Sequence, residues 1–141
     1  MIFVDTAAWA AISLRNDRFH KGAIRFQEQL RRTKEDLLTS NFVLDETYTL
    51  LLYQAGYHDV IRFYNQVQIM IAGGIVRVVH VSEEMESEGW EVFRRFNVDK
   101  HWSFTDCTSK VIMEASKVRE VFTFDHHFHQ MGFVCSPGAT A

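Results

Sequence analysis

Ile2-Phe3-Val4-Asp5 and Val121-Phe122-Thr123-Phe124-Asp125 share one form: a short apolar run that stops at an aspartate. A run of three or four apolar residues between polar stretches reads as a buried strand. Between the two runs the chain alternates such segments with helical ones, the pattern of an α/β domain with a parallel sheet. In open sheets of that kind, sites form beyond the carboxyl ends of strands, where the strand order reverses. Core packing does not explain a charge at the end of a strand. Capping the next helix is the plainer alternative, because a helix N-terminus favours negative charge.

The segments between follow from the same periodicities. Ala7–Ser13 favours a helix, and Asp17–Lys34 predicts a second, with Phe19, Ala23, Phe26 and Leu30 on one face. Leu37-Leu38-Thr39 reads as strand two. Ser40 or Asn41 then caps a helix whose stripe is Phe42, Leu44, Tyr48, Leu51 and Leu52, ending near Gly56. His58–Ala72 is a further helix and Ile75–Val81 strand three. Ser82 to about Phe96 is an acidic helix with Trp90 and Phe93 expected inward, and Asn97–Trp102 a loop. Ser103-Phe104-Thr105-Asp106 has capping-box form, with Asp in place of the usual Glu or Gln, and opens a helix to about Lys117. Val121–Phe124 is strand four and Phe133-Val134 a short fifth.

Composition bounds the class. The 141 residues suit one domain, read here as 1–141, and 47% hydrophobic residues fit a soluble globule. Apolar runs are too short for a membrane span, and the N-terminus lacks a basic region and an apolar signal stretch, so a cytoplasmic protein is expected. Cys107 and Cys135 form no metal-type pair and read as free thiols. The net charge of −3 argues against a general nucleic-acid binder. Residues 1–34, however, hold seven basic against three acidic groups, a surplus of four, and 35–141 then carry −7. A basic region beside an acidic one suits a phosphate backbone held near an acidic metal site, although a solvated helix face gives the same pattern.

Two further carboxylates join the strand-end pair. Asp106 lies in the first turn of the helix leading into strand four, where capping is again the alternative. Glu46 lies one turn into the helix after strand two, among apolar neighbours; Asp45, about 100° round the helix, competes with it. Carboxylates a few Å apart stay ionised only around a cation. Oxygen ligands favour a hard ion, Mg²⁺ or Mn²⁺, the usual partner of phosphodiester chemistry.

Four segments carry a family resemblance: Met1-Ile2-Phe3-Val4-Asp5-Thr6; Thr39-Ser40-Asn41-Phe42-Val43-Leu44-Asp45-Glu46-Thr47; Trp102-Ser103-Phe104-Thr105-Asp106-Cys107; and Phe122-Thr123-Phe124-Asp125 with His127-Phe128 and Gly132-Phe133. In this order and spacing the chain resembles a PIN domain, and among these the VapC toxins of bacterial toxin–antitoxin pairs. The resemblance implies a three-layer α/β/α fold with strand order 3-2-1-4-5. It implies a Mg²⁺-dependent endoribonuclease with Asp5, Glu46, Asp106 and Asp125 as its acidic quartet. Asp5 and Asp106 are the chief metal ligands, and Thr6 and Thr105 support the carboxylates. It also implies an RNA substrate, an antitoxin whose helix fills an apolar groove near Trp9, Phe19 and Phe26, and a homodimer. Asp99 is a candidate fifth acid.

Several features have plainer readings. His126, His127 and His129 are weak evidence for zinc and better fit a loop that contacts RNA phosphate, or simply a polar loop. Cys107 reads as a packing thiol. Trp9 and Trp102 would either stack on bases or fill the core. Tyr64, Val67 and Ile71 with Leu51 and Leu52 are core by default and a dimer face otherwise. A housekeeping PIN nuclease and a non-catalytic RNA-binding PIN module are the rival functions. A phosphatase of the HAD type would need a second Asp where Ala7 stands.

Overall fold

The computed structural model describes residues 1–138. Its elements are β1 (Ile2–Val4), α1 (Thr6–Ser13), α2 (His20–Arg32), β2 (Leu37–Ser40), α3 (Asn41–Gln54), α4 (Tyr57–Ala72), β3 (Val76–Val79), α5 (Glu83–Phe96), α6 (Phe104–Ala115), β4 (Glu120–Phe122), α7 (His127–Gln130) and β5 (Val134–Ser136). The strands form one sheet in the order β3-β2-β1-β4-β5. All pairings are parallel, with Phe3 opposite Leu38 on one side and Val121 on the other. This is the expected three-layer architecture and strand order.

Central strands of a parallel sheet are covered on both faces, so they are apolar throughout rather than alternating. β1 and β2 are buried along their whole length. At the edges, Arg77 of β3 and Val134 of β5 reach solvent. Phe3, Val4, Leu38, Val43, Leu51, Ile112, Val121, Phe122 and Phe128 form the middle of the core. The chain leaves β1 for β2 and β3 on one side, then returns to lay β4 on the other. The carboxyl ends of β1 and β4 therefore flank the reversal of strand order.

Several boundaries differ from the sequence reading. α2 starts at His20, because the Asp17 carboxylate accepts a hydrogen bond from the Phe19 amide (2.8 Å) and holds a turn. β4 ends at Phe122, and Phe124 leaves the sheet to stack on Phe19, centroids 4.6 Å apart. β5 is shifted to Val134–Ser136, β3 is shorter than expected, and the four-residue α7 was not foreseen. Leu52 is half exposed. Trp90 is 53% exposed, with its ring stacked on Phe93, rather than pointing inward.

The reason lies one residue earlier. α5 approaches α6 through Gly89, where an added Cβ would sit 2.8 Å from Thr108 Cγ2. Thr108 is fully buried and stiff at χ1, so it has little room to yield. Gly89→Ala is expected to lower the melting temperature. Overpacking costs about 1–3 kcal/mol and outweighs the gain of about 1 kcal/mol from better helix propensity. An unchanged or raised thermal melt would contradict this close packing.

Candidate active site

Asp5 leaves the end of β1 and occupies the N-cap position of α1, but its side chain makes no capping hydrogen bond. Helix capping therefore does not explain this carboxylate. It is 3% exposed, and its Oδ2 accepts a hydrogen bond from Thr123 Oγ1 at 3.0 Å. The same hydroxyl accepts from the Asp125 amide at 3.0 Å. Thr123, one residue past β4, thus ties the two strand-end aspartates together.

Asp106 does cap its helix. Ser103 Oγ accepts from the Asp106 amide, and Asp106 Oδ2 accepts from the Ser103 amide, so the capping box holds with Asp in the fourth place. Capping and site membership are compatible here, because the first turn of α6 faces the ends of β1 and β4. The same Oδ2 is 2.9 Å from His127 Nδ1. That nitrogen is also 3.3 Å from Asp125 Oδ1, which accepts the His127 amide at 3.0 Å. Glu46 is half-buried on α3, whereas Asp45 is exposed. Asp99 is also exposed and pairs with Lys100 at 3.3 Å.

Asp5, Glu46 and Asp106 each feel the charge of at least one other acid of the group. Burial pushes the Asp5 carboxyl up to about 8, and Asp106 and Asp125 add to the rise against the hydrogen bond from Thr123. Burial likewise raises Glu46, with the charges of Asp106 and Asp125 contributing, while Thr6 and Thr105 favour its ionised form. Asp106 is raised by burial first and by Asp125, and the His127 hydrogen bond opposes this. Such a group stores repulsion that a cation relieves.

The residues present fit a hard divalent cation. The quartet offers only oxygen donors. Thr6 Oγ1, where a supporting role was expected, is buried and makes no hydrogen bond of full geometry, yet it lies near enough to Glu46 to favour the ionised carboxylate and keeps a lone pair for an ion. Among the described residues, the one trio of ligating side chains with donor atoms within 4.8 Å of one another is Asp125, His126 and His127. His127 and Thr123 are the site residues that the sequence reading missed. The His cluster was visible but read as loop, and Thr123 looked like an ordinary strand residue.

Other expectations fall away. Trp9 and Trp102 are each 2% exposed, so neither ring is open to a base. Trp9 donates to Thr39 Oγ1, and Trp102 to Gln130 Oε1. Burial pushes the Cys107 thiol up to about 11, with Asp106 adding to it, which leaves a packing residue rather than a nucleophile. Trp9 and Phe26 belong to the core and do not line the depression beside Asp125. The depression beside Asp125 is instead lined by Ala10, Leu14, Phe19, Leu50 and Phe124, with a volume near 360 Å³.

Acidic side chains gathered over the switch point of a five-stranded parallel sheet define the nuclease-type α/β class. The PIN-domain profile matches residues 2–134. The chain is 35% identical over 135 residues, 95% of its length and 96% of the relative's, to the 23S rRNA-specific endonuclease VapC20 of two Mycobacterium tuberculosis strains. It is 30% identical over 92 residues to a VapC ribonuclease of Archaeoglobus fulgidus, covering 65% of this chain and 55% of that one. The crystal structure of M. tuberculosis VapC20, described as a sarcin–ricin loop cleaving toxin, superposes with a TM-score of 0.82 at 34% identity, covering 95% of this chain and 97% of that one. The chain belongs to the PIN-domain family, and within it to the VapC-type ribonucleases.

Proposed function

We propose that this protein is a Mg²⁺-dependent endoribonuclease, the toxin half of a toxin–antitoxin pair, and that it cuts structured ribosomal RNA. The observation that carries the reading is that Asp5, Glu46 and Asp106, from three separate segments, are all raised by burial and by one another's charges or that of Asp125. The ribosomal substrate rests on the similarity to VapC20 along nearly the whole chain.

Asp5 and Asp106 would hold the ion, with Thr6 supporting the group from α1 and Thr105 from α6. Mg²⁺, for which Mn²⁺ would substitute, supplies the positive charge that stabilises in-line displacement at phosphorus. Glu46 and Asp125 complete the site and orient the attacking water by accepting its protons. Water attacks phosphorus as the bond to the 3′ oxygen breaks and that oxygen takes up a proton, so the products carry 5′-phosphate and 3′-hydroxyl ends.

Among the described residues, no helix is long and apolar enough to cross a membrane. A protein antitoxin is the expected partner, its apolar helix seated in the depression by Phe19 and Phe124. Leu52, Tyr53, Tyr57, Ile61 and Tyr64 expose an apolar face on α3 and α4 suited to a homodimer. Val67 and Leu51, from the expected stripe, are core instead.

Brief induction in cells, followed by mapping of new 5′-phosphate ends, tests the reading. Cuts are expected in 23S rRNA, with growth arrest relieved by the adjacent antitoxin gene. Purified protein should cut a sarcin–ricin loop transcript with Mg²⁺ and not in excess EDTA. Full cleavage in EDTA would sink the metal-dependent scheme, and cuts confined to transfer or messenger RNA would replace the substrate.

A further inference from the structure

We propose that His127 is a positioning residue of the acidic site, clamping Asp106 and Asp125 in one fixed relation so that both carboxylates serve the same divalent cation. The inference deepens the metal-dependent reading above and rests on it.

Asp106 and Asp125 reach the site from unconnected elements, the start of α6 and the turn after β4. The imidazole of His127 spans them, with Nδ1 2.9 Å from Asp106 Oδ2 and 3.3 Å from Asp125 Oδ1. Two carboxylates converge on that nitrogen, so it carries the hydrogen. The His127 amide also donates to Asp125 Oδ1, but any residue there would supply that bond. Only the side chain reaches Asp106.

The clamp has a rigid base. Phe128, the next residue, is fully buried, and its carbonyl accepts from the Phe133 amide at 3.2 Å. The His127 side chain is 20% exposed.

A common pattern emerges at the three aspartates. Asp5 is held through Oδ2 by Thr123, Asp106 through Oδ2 by Ser103 and His127, and Asp125 through Oδ1 by His127. At Asp106 and Asp125 these hydrogen bonds fall on one oxygen, which leaves the other free to face the ion or its bound water. Partners that orient ligating carboxylates in this way matter about 10–100-fold in metal affinity or activity.

The test compares wild type with His127→Leu and His127→Asn. Both replacements have the same branched shape, but only Asn sets an amide nitrogen near the Nδ1 position. Mn²⁺ binding is followed by electron paramagnetic resonance, with no RNA present. Leu is expected to weaken Mn²⁺ affinity by about 10–100-fold, and Asn to recover most of it. Cleavage should show the same order, with the kcat of His127→Leu recovering at saturating Mn²⁺. Should Leu melt below the assay temperature, His127→Gln, whose amide lies beyond the Nδ1 position, takes its place. If wild type binds Mn²⁺ while the variant with no donor at the Nδ1 position binds it equally well, the clamp is overturned and the nuclease reading stands. If wild type neither binds Mn²⁺ nor cleaves RNA, the nuclease reading falls and the clamp falls with it.

Discussion

Asp5→Asn is expected to keep the fold and to lower RNA cleavage about a thousandfold or more. Asn has the same shape, and its Oδ1 can still accept the Thr123 hydroxyl that holds Asp5 at 3.0 Å. What is lost is the negative charge of the most buried acid in the site. Removing one preorganised hydrogen-bond donor from an active site already costs about 10²–10³ in rate. Losing a formal charge that holds the cation should cost at least as much. Asp106→Asn should behave alike, since that side chain joins the α6 cap to the His127 contact. Single-turnover rates on a sarcin–ricin loop transcript at fixed Mg²⁺ measure both. Cleavage by both variants within about tenfold of wild type would remove them from the machinery.

The parts of this site that were legible from sequence are those whose chemistry conflicts with their local setting. Asp5 stands at the end of an apolar strand, where packing offers no reason for a charge. Asp125 repeats the arrangement, and the paired occurrence places both at the switch point. Asp106 was ambiguous because its capping box is real; a residue can cap a helix and also face a site. Glu46 and Asp45 are adjacent, and helical periodicity alone could not choose between them until burial did. His127 was not legible, since its meaning lies in a contact with a residue 21 positions away. Thr123 was hidden for the same reason, its hydrogen bond reaching 118 positions back to Asp5. Trp90 shows the opposite error. A large aromatic on an amphipathic helix predicts an inward ring, yet here the smallest residue, Gly89, faces the neighbouring helix and the ring remains half outside.

The stability of the metal-free protein should fall as pH rises from about 4 to about 8, and divalent cation should reverse the fall. The Asp5 carboxyl stands at about 8 in the fold against 3.8 as its ordinary value. A raised acid binds its proton more tightly in the folded state than in the unfolded one. Below the ordinary value both states are protonated and the group costs nothing. Between the two values, unfolding releases a proton, so each step up in pH favours the unfolded chain. Above the folded value the full penalty is in place. A shift of this size corresponds to an upper bound on the order of 5 kcal/mol, and Glu46 and Asp106 are raised in the same direction. In a chain of this length that corresponds to a melting temperature on the order of 10 °C lower at pH 8 than at pH 5. A cation binds the ionised carboxylates, so Mg²⁺ or Mn²⁺ should raise the melting temperature more at pH 8 than at pH 5. Asp5→Asn lacks the titrating group. In EDTA it should therefore melt above wild type at pH 8, with a flatter pH profile and a smaller gain on adding metal. Scanning calorimetry of both proteins across this range, with and without Mn²⁺, reads all three effects. If metal-free wild type instead gains stability between pH 5 and pH 8, the carboxylates bear neither the burial cost nor the repulsion that a shared cation would relieve, and the physical case for that cation fails at its root.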